Sequence, residues 1–151
     1  MGTVTLTGND TILLNRRVIS DLADADAATL GFPNEIASIK TGKNGNAIFA
    51  LNESGKQCKV VLRVIRGSAD DKYFNALLAQ QQANFVATVL LSGEFIKKIG
   101  DGKGNVIKDT YIMSGGVFTK QVDAKSNAEG DVEQGISIYN IDFSNAPRAI
   151  S

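Results

Sequence analysis

The sequence predicts a mainly β fold: a β-sandwich or barrel of antiparallel strands with one flanking α-helix and a long extended hairpin loop. Apolar and polar residues alternate in several short segments, which is typical of strands. The chain has 15 glycines but only 2 prolines, as expected for turns that use glycine to reach positive φ. With 151 residues, the chain is predicted to form a single domain, residues 1–151.

The clearest strand covers residues 57–65. Cys58, Val60, Leu62 and Val64 share one of its faces because side chains alternate along a strand. The opposite face is also partly apolar, which predicts a central position in a sheet. Cys58 lies among apolar residues, so we expect a buried, unreactive thiol.

Four further strands are predicted in the second half of the chain, at 85–98, 106–113, 117–122 and 135–143. The glycine-rich residues 100–105 predict a hairpin turn between the first two. Gly115 and Gly116 are expected to end the next strand. In the last strand the apolar positions change parity, which predicts a bulge or a strand that passes between sheets.

One helix is predicted over residues 68–84. Ser68 is placed to cap its first turn, and Asp70 and Asp71 add carboxylates there, where they accept from free N–H groups and oppose the helix dipole. Both aspartates are therefore interpreted as capping residues. The apolar face of the helix consists of Tyr73, Phe74, Leu77 and Leu78.

Residues 41–57 differ from the rest of the chain. Two turn clusters, 41–46 and 52–55, flank the short apolar segment 47–51, which predicts a hairpin or extended loop that projects from the body. In a monomer these apolar residues would fold onto the core, whereas in an assembly they would lie across a neighbouring subunit.

Composition excludes most catalytic chemistry. The chain has no histidine and 1 cysteine, so it cannot hold a Ser-His-Asp triad, a Cys-His pair or a zinc site with histidine ligands. We therefore expect no enzymatic activity, no metal and no cofactor. One alternative stays open: Asp21, Asp24 and Asp26 could bind a hard cation and support metal-dependent catalysis, although a solvated turn is the favoured interpretation of these residues.

Charge and hydropathy indicate a soluble protein without strong nucleic-acid affinity. The 16 basic and 16 acidic residues cancel, which is not the composition of a basic nucleic-acid binder. The sequence has no apolar run of the length that a membrane-spanning helix needs and no export signal. We expect the protein to be made and kept in the cytosol.

The order of several motifs resembles a known family. These motifs are Gly42-Lys-Asn-Gly45, Ile48-Phe49, Ser54-Gly55, the strand through Val60 and Leu62, and Ser68 at the start of a helix that contains Leu77 and Leu78. In this order and spacing the chain resembles bacteriophage tail tube proteins, small structural proteins of contractile-tailed phages that are related to type VI secretion tube proteins.

The resemblance implies a structural role. Members of this family assemble as stacked hexameric rings around a lumen through which DNA is ejected, so the implied location is the virion tail, assembled in the host cytoplasm. The implied partners are further copies of the chain and the tail sheath, baseplate and tail terminator proteins; DNA would cross the lumen without specific binding. The implied subunit-interface residues are Gly42, Gly45, Ile48, Phe49, Leu51, Ser54 and Gly55.

A second function class stays open: a small monomeric β-sandwich binding module, for a carbohydrate or a virion surface. Such a module would present exposed aromatic rings to its ligand. With 3 tyrosines and no tryptophan, the chain is poorly supplied for stacking on sugars.

Overall fold

The computed structural model describes residues 2–8, 10–23 and 26–151, in which antiparallel strands predominate. The strands are β1 (Thr11–Leu14), β2 (Arg17–Val18), β3 (Ala28–Gly31), β4 (Ala37–Thr41), β5 (Ala47–Leu51), β6 (Cys58–Ile65), β7 (Leu91–Gly100), β8 (Val106–Lys120), β9 (Ile136–Asn145) and β10 (Arg148–Ile150). The α-helix α1 (Ala69–Ala83) lies between β6 and β7, and short 3-10 turns cover Glu53–Lys56 and Val132–Gly135. The predicted fold class is confirmed.

The main sheet has the strand order β2-β1-β7-β8-β9-β6-β3. Its central strand, β8, is shared: Tyr111 in its first half pairs with Phe95 of β7 on one side and with Arg148 of β10 on the other, and Gly116 in its second half pairs with Phe143 of β9. β4 and β5 form a separate two-stranded sheet.

The core lies between the helix and the inner face of β6 and β9. As predicted from alternation, Cys58, Val60, Leu62 and Val64 of β6 are all buried. Their register partners on the same face of β9, Phe143, Ile141, Tyr139 and Ser137, are buried as well. Each large apolar side chain in this layer contributes about 1.5–3 kcal/mol of hydrophobic stabilisation. The prediction of a central strand at 57–65 is confirmed, since β6 lies between β9 and β3.

The helix begins and ends where the sequence predicts. Ser68 caps it by accepting the Asp71 N–H at 3.2 Å, and Asn84 is its C-cap. Phe74 and Leu78 are buried, while Tyr73 and Leu77 pack at the edge of the core. The apolar face of α1 therefore covers the inner face of the sheet, as its helical spacing requires.

Asp71 also ties the first turn of the helix to the sheet. Its carboxylate accepts the Tyr139 hydroxyl at 2.6 Å and the Ser137 hydroxyl at 3.1 Å. Burial, reinforced by this carboxylate, raises the pKa of Tyr139. The hydroxyl therefore stays protonated and donates at every physiological pH.

Asp70 has a larger role than the predicted capping, because its side chain is fully buried. It accepts the N–H groups of Ser20 and Asp21, both at 2.8 Å, and Arg17 Nε at 3.0 Å. Burial by itself would raise the pKa of Asp70, but hydrogen bonds from Asp21, Ser20 and Arg17 outweigh it and lower that pKa. The carboxylate thus fixes the segment after β2 against the start of α1.

Gln81 fixes the other end of the helix. Its side-chain amide donates to the Phe118 carbonyl at 2.7 Å and accepts the Phe118 N–H at 2.9 Å. The pairing of β7 with β8 ends at Leu91 and Gly116. Beyond Gly116, the Gln81 side chain therefore supplies Phe118 of β8 with the backbone hydrogen bonds that a neighbouring strand would otherwise make.

The predicted boundaries of two strands are wrong. Residues 85–90 were assigned to a strand, but β7 begins at Leu91. Asn84 instead forms a turn, since its side chain accepts the Ala87 N–H at 3.3 Å and its carbonyl accepts the Thr88 hydroxyl at 3.2 Å. The predicted 106–113 and 117–122 are one strand, β8.

The glycines in the middle of β8 serve close packing. A Cβ on Gly116 would lie 2.4 Å from the Phe143 ring, so glycine lets the ring pack directly on the strand. The strand continues through this position because β9 pairs with it there. The hairpin turn predicted at 100–105 is confirmed: Asp101 accepts the N–H groups of Lys103 and Asn105.

The bulge predicted in the last strand is misplaced. β9 pairs with β6 without a register shift, and its Ser137, Tyr139, Ile141 and Phe143 all face the core. Ile138 lies on the opposite face. The irregularity is on the neighbouring strand, between Phe118 and Lys120 of β8.

The C-terminal strand β10 is attached by a bidentate ion pair. Arg148 Nε and Nη2 donate to the two carboxylate oxygens of Asp109 on β8, at 2.7 and 2.8 Å. These hydrogen bonds lower the pKa of Asp109. β10 therefore stays on the edge of β8 that β9 leaves open.

The Gln81 contact predicts a stability loss. Gln81→Leu leaves the Phe118 N–H and carbonyl without partners in a buried position, which costs roughly 1–3 kcal/mol of unfolding free energy. Urea unfolding followed by circular dichroism measures it. The exposed neighbour Gln82 provides the control, since Gln82→Leu should change stability by less than about 0.5 kcal/mol. Equal effects of the two substitutions would contradict the role of Gln81.

The Asp70 contacts predict a pH dependence. Because the folded-state pKa of Asp70 lies below its unfolded value, its stabilising contribution is complete above about pH 4 and is lost as the pH falls through the folded pKa. Asp70→Asn should lower the melting temperature near neutral pH and flatten its decline in acid. Asp26→Asn, at an exposed carboxylate, should leave both properties unchanged. Melting curves across this range measure the difference.

Candidate subunit interface

The β4–β5 hairpin is exposed along both of its strands. Every residue of both strands is exposed. Between the strands, Gly42 N–H donates to the Asn46 carbonyl at 2.7 Å and Gly45 N–H donates to the Gly42 carbonyl at 3.1 Å. Gly45 has φ of 81°, a left-handed conformation that favours glycine. Gly42 and Gly45 therefore shape the turn at the tip of the hairpin.

The register of the hairpin separates its side chains onto two faces. Ile39 pairs with Phe49 and Ala37 pairs with Leu51, and directly paired residues lie on the same face. Lys40 pairs with Ile48 on the opposite, more polar face. We call the more apolar side the hairpin face; it consists of Ala37, Ile39, Thr41, Ala47, Phe49 and Leu51.

The hairpin face is a costly surface to leave in water. Ile39 is 66% exposed, and Phe49 and Leu51 are each 73% exposed. Burying side chains of this size stabilises a contact by about 1.5–3 kcal/mol each, before the cost of ordering. Contiguous apolar patches of this kind mark interaction surfaces on soluble proteins.

The hairpin joins the body at a rigid base. Gly55 is buried, and a Cβ there would lie 2.6 Å from Ile36 Cα and 2.8 Å from the Glu35 carbonyl oxygen. The Ser54 N–H donates to the Asn52 side chain at 3.3 Å. Gly55 is therefore packed within the chain at the base of the hairpin, whereas Ser54 beside it is exposed.

The structure therefore divides the predicted interface residues by position. Phe49 and Leu51 lie on the hairpin face, Ile48 lies on the other face, and the remaining residues lie at the tip or the base. Their role between subunits stays a prediction. The two faces could not be predicted because they depend on the register with β4, a strand that the prediction did not include.

A second exposed apolar surface was missed. Phe85, Val86, Val89 and Leu90 are 63%, 98%, 86% and 57% exposed, and the sequence analysis assigned them to a strand. One signal was available: no charged residue stands between Lys72 and Glu94, although 21% of the chain is charged. Such a gap in charge is unusual for an exposed segment of a soluble domain.

The alternative metal site gains no support from the part of the chain that the structure describes. Asp24 lies outside the described residues. Asp21 is engaged with the start of α1, where its N–H donates to Asp70, and Asp26 is exposed. Within residues 2–8, 10–23 and 26–151, no three histidine, cysteine, aspartate or glutamate side chains are grouped as metal ligands.

The Cys58 thiol is not a candidate reactive group. Burial raises the pKa of Cys58 to about 11, so the thiol is protonated and unreactive at neutral pH.

In the described ranges, no helix has the length and apolar character needed to cross a membrane.

The fold is shared with a component of a contractile machine. The chain resembles a chain in the cryo-EM structure of an extracellular contractile injection system, the PVC sheath-tube complex in the extended state. The TM-score is 0.57 and the identity is 10%, over 94% of this chain and 87% of the other. No protein-family model and no curated protein matches the sequence. The predicted resemblance is therefore confirmed as a likeness of fold to a chain of this contractile injection system.

The base of the hairpin yields a prediction. In Gly55→Ala the new Cβ displaces the backbone at Ile36, and crowding of this kind costs about 1–3 kcal/mol. Amide hydrogen exchange in β4 and β5 should accelerate correspondingly. Gly31→Ala is the control, because a Cβ at Gly31 meets nothing within 4 Å. Unchanged exchange in Gly55→Ala would show that the base is not rigid.

Proposed function

We propose that the protein is the tube subunit of a contractile tail or a related injection machine. It polymerises as stacked hexameric rings whose lumen is the conduit for ejection. The observation that carries this proposal is the hairpin face, an ordered apolar surface that projects from the body with its three large side chains mostly exposed. The shared fold with a chain of a sheath-tube complex supports the same role.

The topology of the main sheet is suited to assembly. β2 and β3 are its outer strands, and an outer strand offers unpaired backbone donors and acceptors to another chain. Contacts between two different surfaces of identical subunits are heterologous and close into rings when the rotation allows. Strands of neighbouring subunits then continue one sheet around the lumen, and the hairpin reaches an adjacent subunit.

The charge balance fits a conduit. With 16 basic and 16 acidic residues, the subunit lacks the cationic surplus that holds nucleic acid by its phosphates. DNA or another polymer would slide through such a lumen without specific binding. The subunit acts without cofactor or enzymatic activity, and its partners are the sheath, the baseplate, the tail terminator and further copies of itself, in a virion tail or a related particle.

Electron microscopy tests the proposal directly. Concentrated wild-type protein should show rings or hollow tubes of uniform width by negative stain, with matching light scattering. A protein that stays monomeric at about 1 mM, where a contact of only about 4 kcal/mol would already be half formed, would contradict the proposal and favour the monomeric binding module.

A pair of charge variants tests the hairpin face. Phe49→Glu removes a contact of about 1.5–3 kcal/mol and should raise the concentration needed for assembly at least about tenfold. Ser38→Glu adds the same charge to the opposite face of the hairpin and should assemble like the wild type. Both variants should unfold at the wild-type urea concentration, because both positions are exposed. Normal tubes from Phe49→Glu would remove the hairpin face from the assembly.

A further inference from the structure

The turn between α1 and β7, together with the end of the helix, forms a second apolar surface. We call it the receiving surface; it consists of Ala83, Phe85, Val86, Ala87, Val89 and Leu90. All of its residues are exposed. The turn is ordered by Asn84, whose side chain and carbonyl bind Ala87 and Thr88. The surface is therefore formed before any partner binds.

A cleft of about 150 Å³ opens beside the receiving surface. Its apolar lining consists of Leu77, Ala87, Val89, Leu91 and Phe118. A cavity of about this volume holds one benzene ring. The cleft is thus large enough for a single phenylalanine ring, and Asn15, Gln80, Gln81 and Thr88 form its polar side.

We propose that the receiving surface binds the hairpin face of a second copy of this chain, with Phe49 of that copy seated in the cleft. This inference rests on the proposed function, since it names which two surfaces of the tube subunit meet. Phe49 is 73% exposed at the centre of the hairpin face. Its ring is therefore available to fill a cleft of this size.

The two surfaces match in extent and charge. Each offers on the order of 500 Å² of apolar area, given that one aromatic side chain accounts for 150–250 Å². A stable interface buries about 800 Å² on each partner, so the apolar contact would supply more than half of that area and a polar rim would have to supply the rest. Neither the hairpin face nor the segment between Lys72 and Glu94 contains a charged residue, so no charge must be desolvated when they meet.

The contact must form between copies. Within the described chain, β4 and β5 pair with each other and not with the main sheet, and both apolar surfaces remain exposed. A surface that binds a different surface of an identical molecule makes a heterologous contact, which generates rings or filaments. The pairing therefore gives each copy one donor surface and one acceptor surface.

Cross-linking tests which surfaces meet. Leu51→Cys and Val86→Cys, combined in one chain, keep Phe49 and the cleft intact, and a short bis-maleimide should join assembled copies into a ladder. Leu51→Cys with Val132→Cys is the matched control, since Val132 is an exposed valine elsewhere, 77% exposed. The native Cys58 should not react, because its thiol is buried and protonated. We expect at least about tenfold more cross-linked product from the first pair than from the second.

A substitution pair gives an independent readout. Val86→Asp should raise the assembly concentration at least tenfold, whereas Val132→Asp should not, and both should remain folded by circular dichroism. If tubes form but the two cysteine pairs cross-link equally and Val86→Asp assembles normally, the proposed contact between the receiving surface and the hairpin face is wrong. The proposed tube function is then unaffected. In that case, binding of a different protein to this surface would explain its exposure. If wild-type protein forms no tubes at all, the proposed function itself fails.

Discussion

The attachment of α1 to the sheet is the constraint on which the rest of the structure depends. The helix brings its apolar side to the inner face of β6 and β9, but polar contacts at its two ends determine where it lies. Asp70 and Asp71 bind the start of the helix to the segment after β2 and to β9. Gln81 binds its end to the backbone of β8. Because buried polar groups cost free energy unless paired, these contacts allow one position of the helix and exclude sliding along the sheet.

Local patterns predicted the elements whose environment is local. The helix follows from Ser68 and the spacing of its apolar residues, and β6 follows from strict alternation. The errors arise where distant residues decide. From sequence alone, Gly116 is expected to end a strand. In the structure, the Phe143 ring occupies the space that a Cβ at this position would fill. Asp70 has the position of a capping residue, yet its carboxylate serves backbone groups about fifty positions away. The projecting segment 41–57 was foreseen, but its two faces required the register with β4.

Charged residues take part in contacts within the chain but are absent from its two exposed apolar surfaces. Ion pairs such as Arg148 with Asp109 attach edge strands to the body, while the hairpin face and the receiving surface are free of charge. Exposed ion pairs contribute little to stability, whereas Asp109 is buried and its pairing with Arg148 holds β10 in place. Charged contacts thus position elements within the chain, and the two exposed apolar surfaces are the ones that the proposed assembly would bury.

The separation of the hairpin from the main sheet also sets the order in which the chain folds. β4 and β5 are close in sequence, and hairpins of this kind form in about 1–10 μs. The main sheet must instead pair β1 with β7 and β6 with β9, strands far apart in the chain, and such non-local pairing is slow. In a newly made chain, the apolar β4–β5 hairpin therefore forms before the main sheet is complete. Partly folded chains with exposed apolar surface aggregate readily, so slow completion of the main sheet exposes the chain to loss by aggregation before it reaches its folded state.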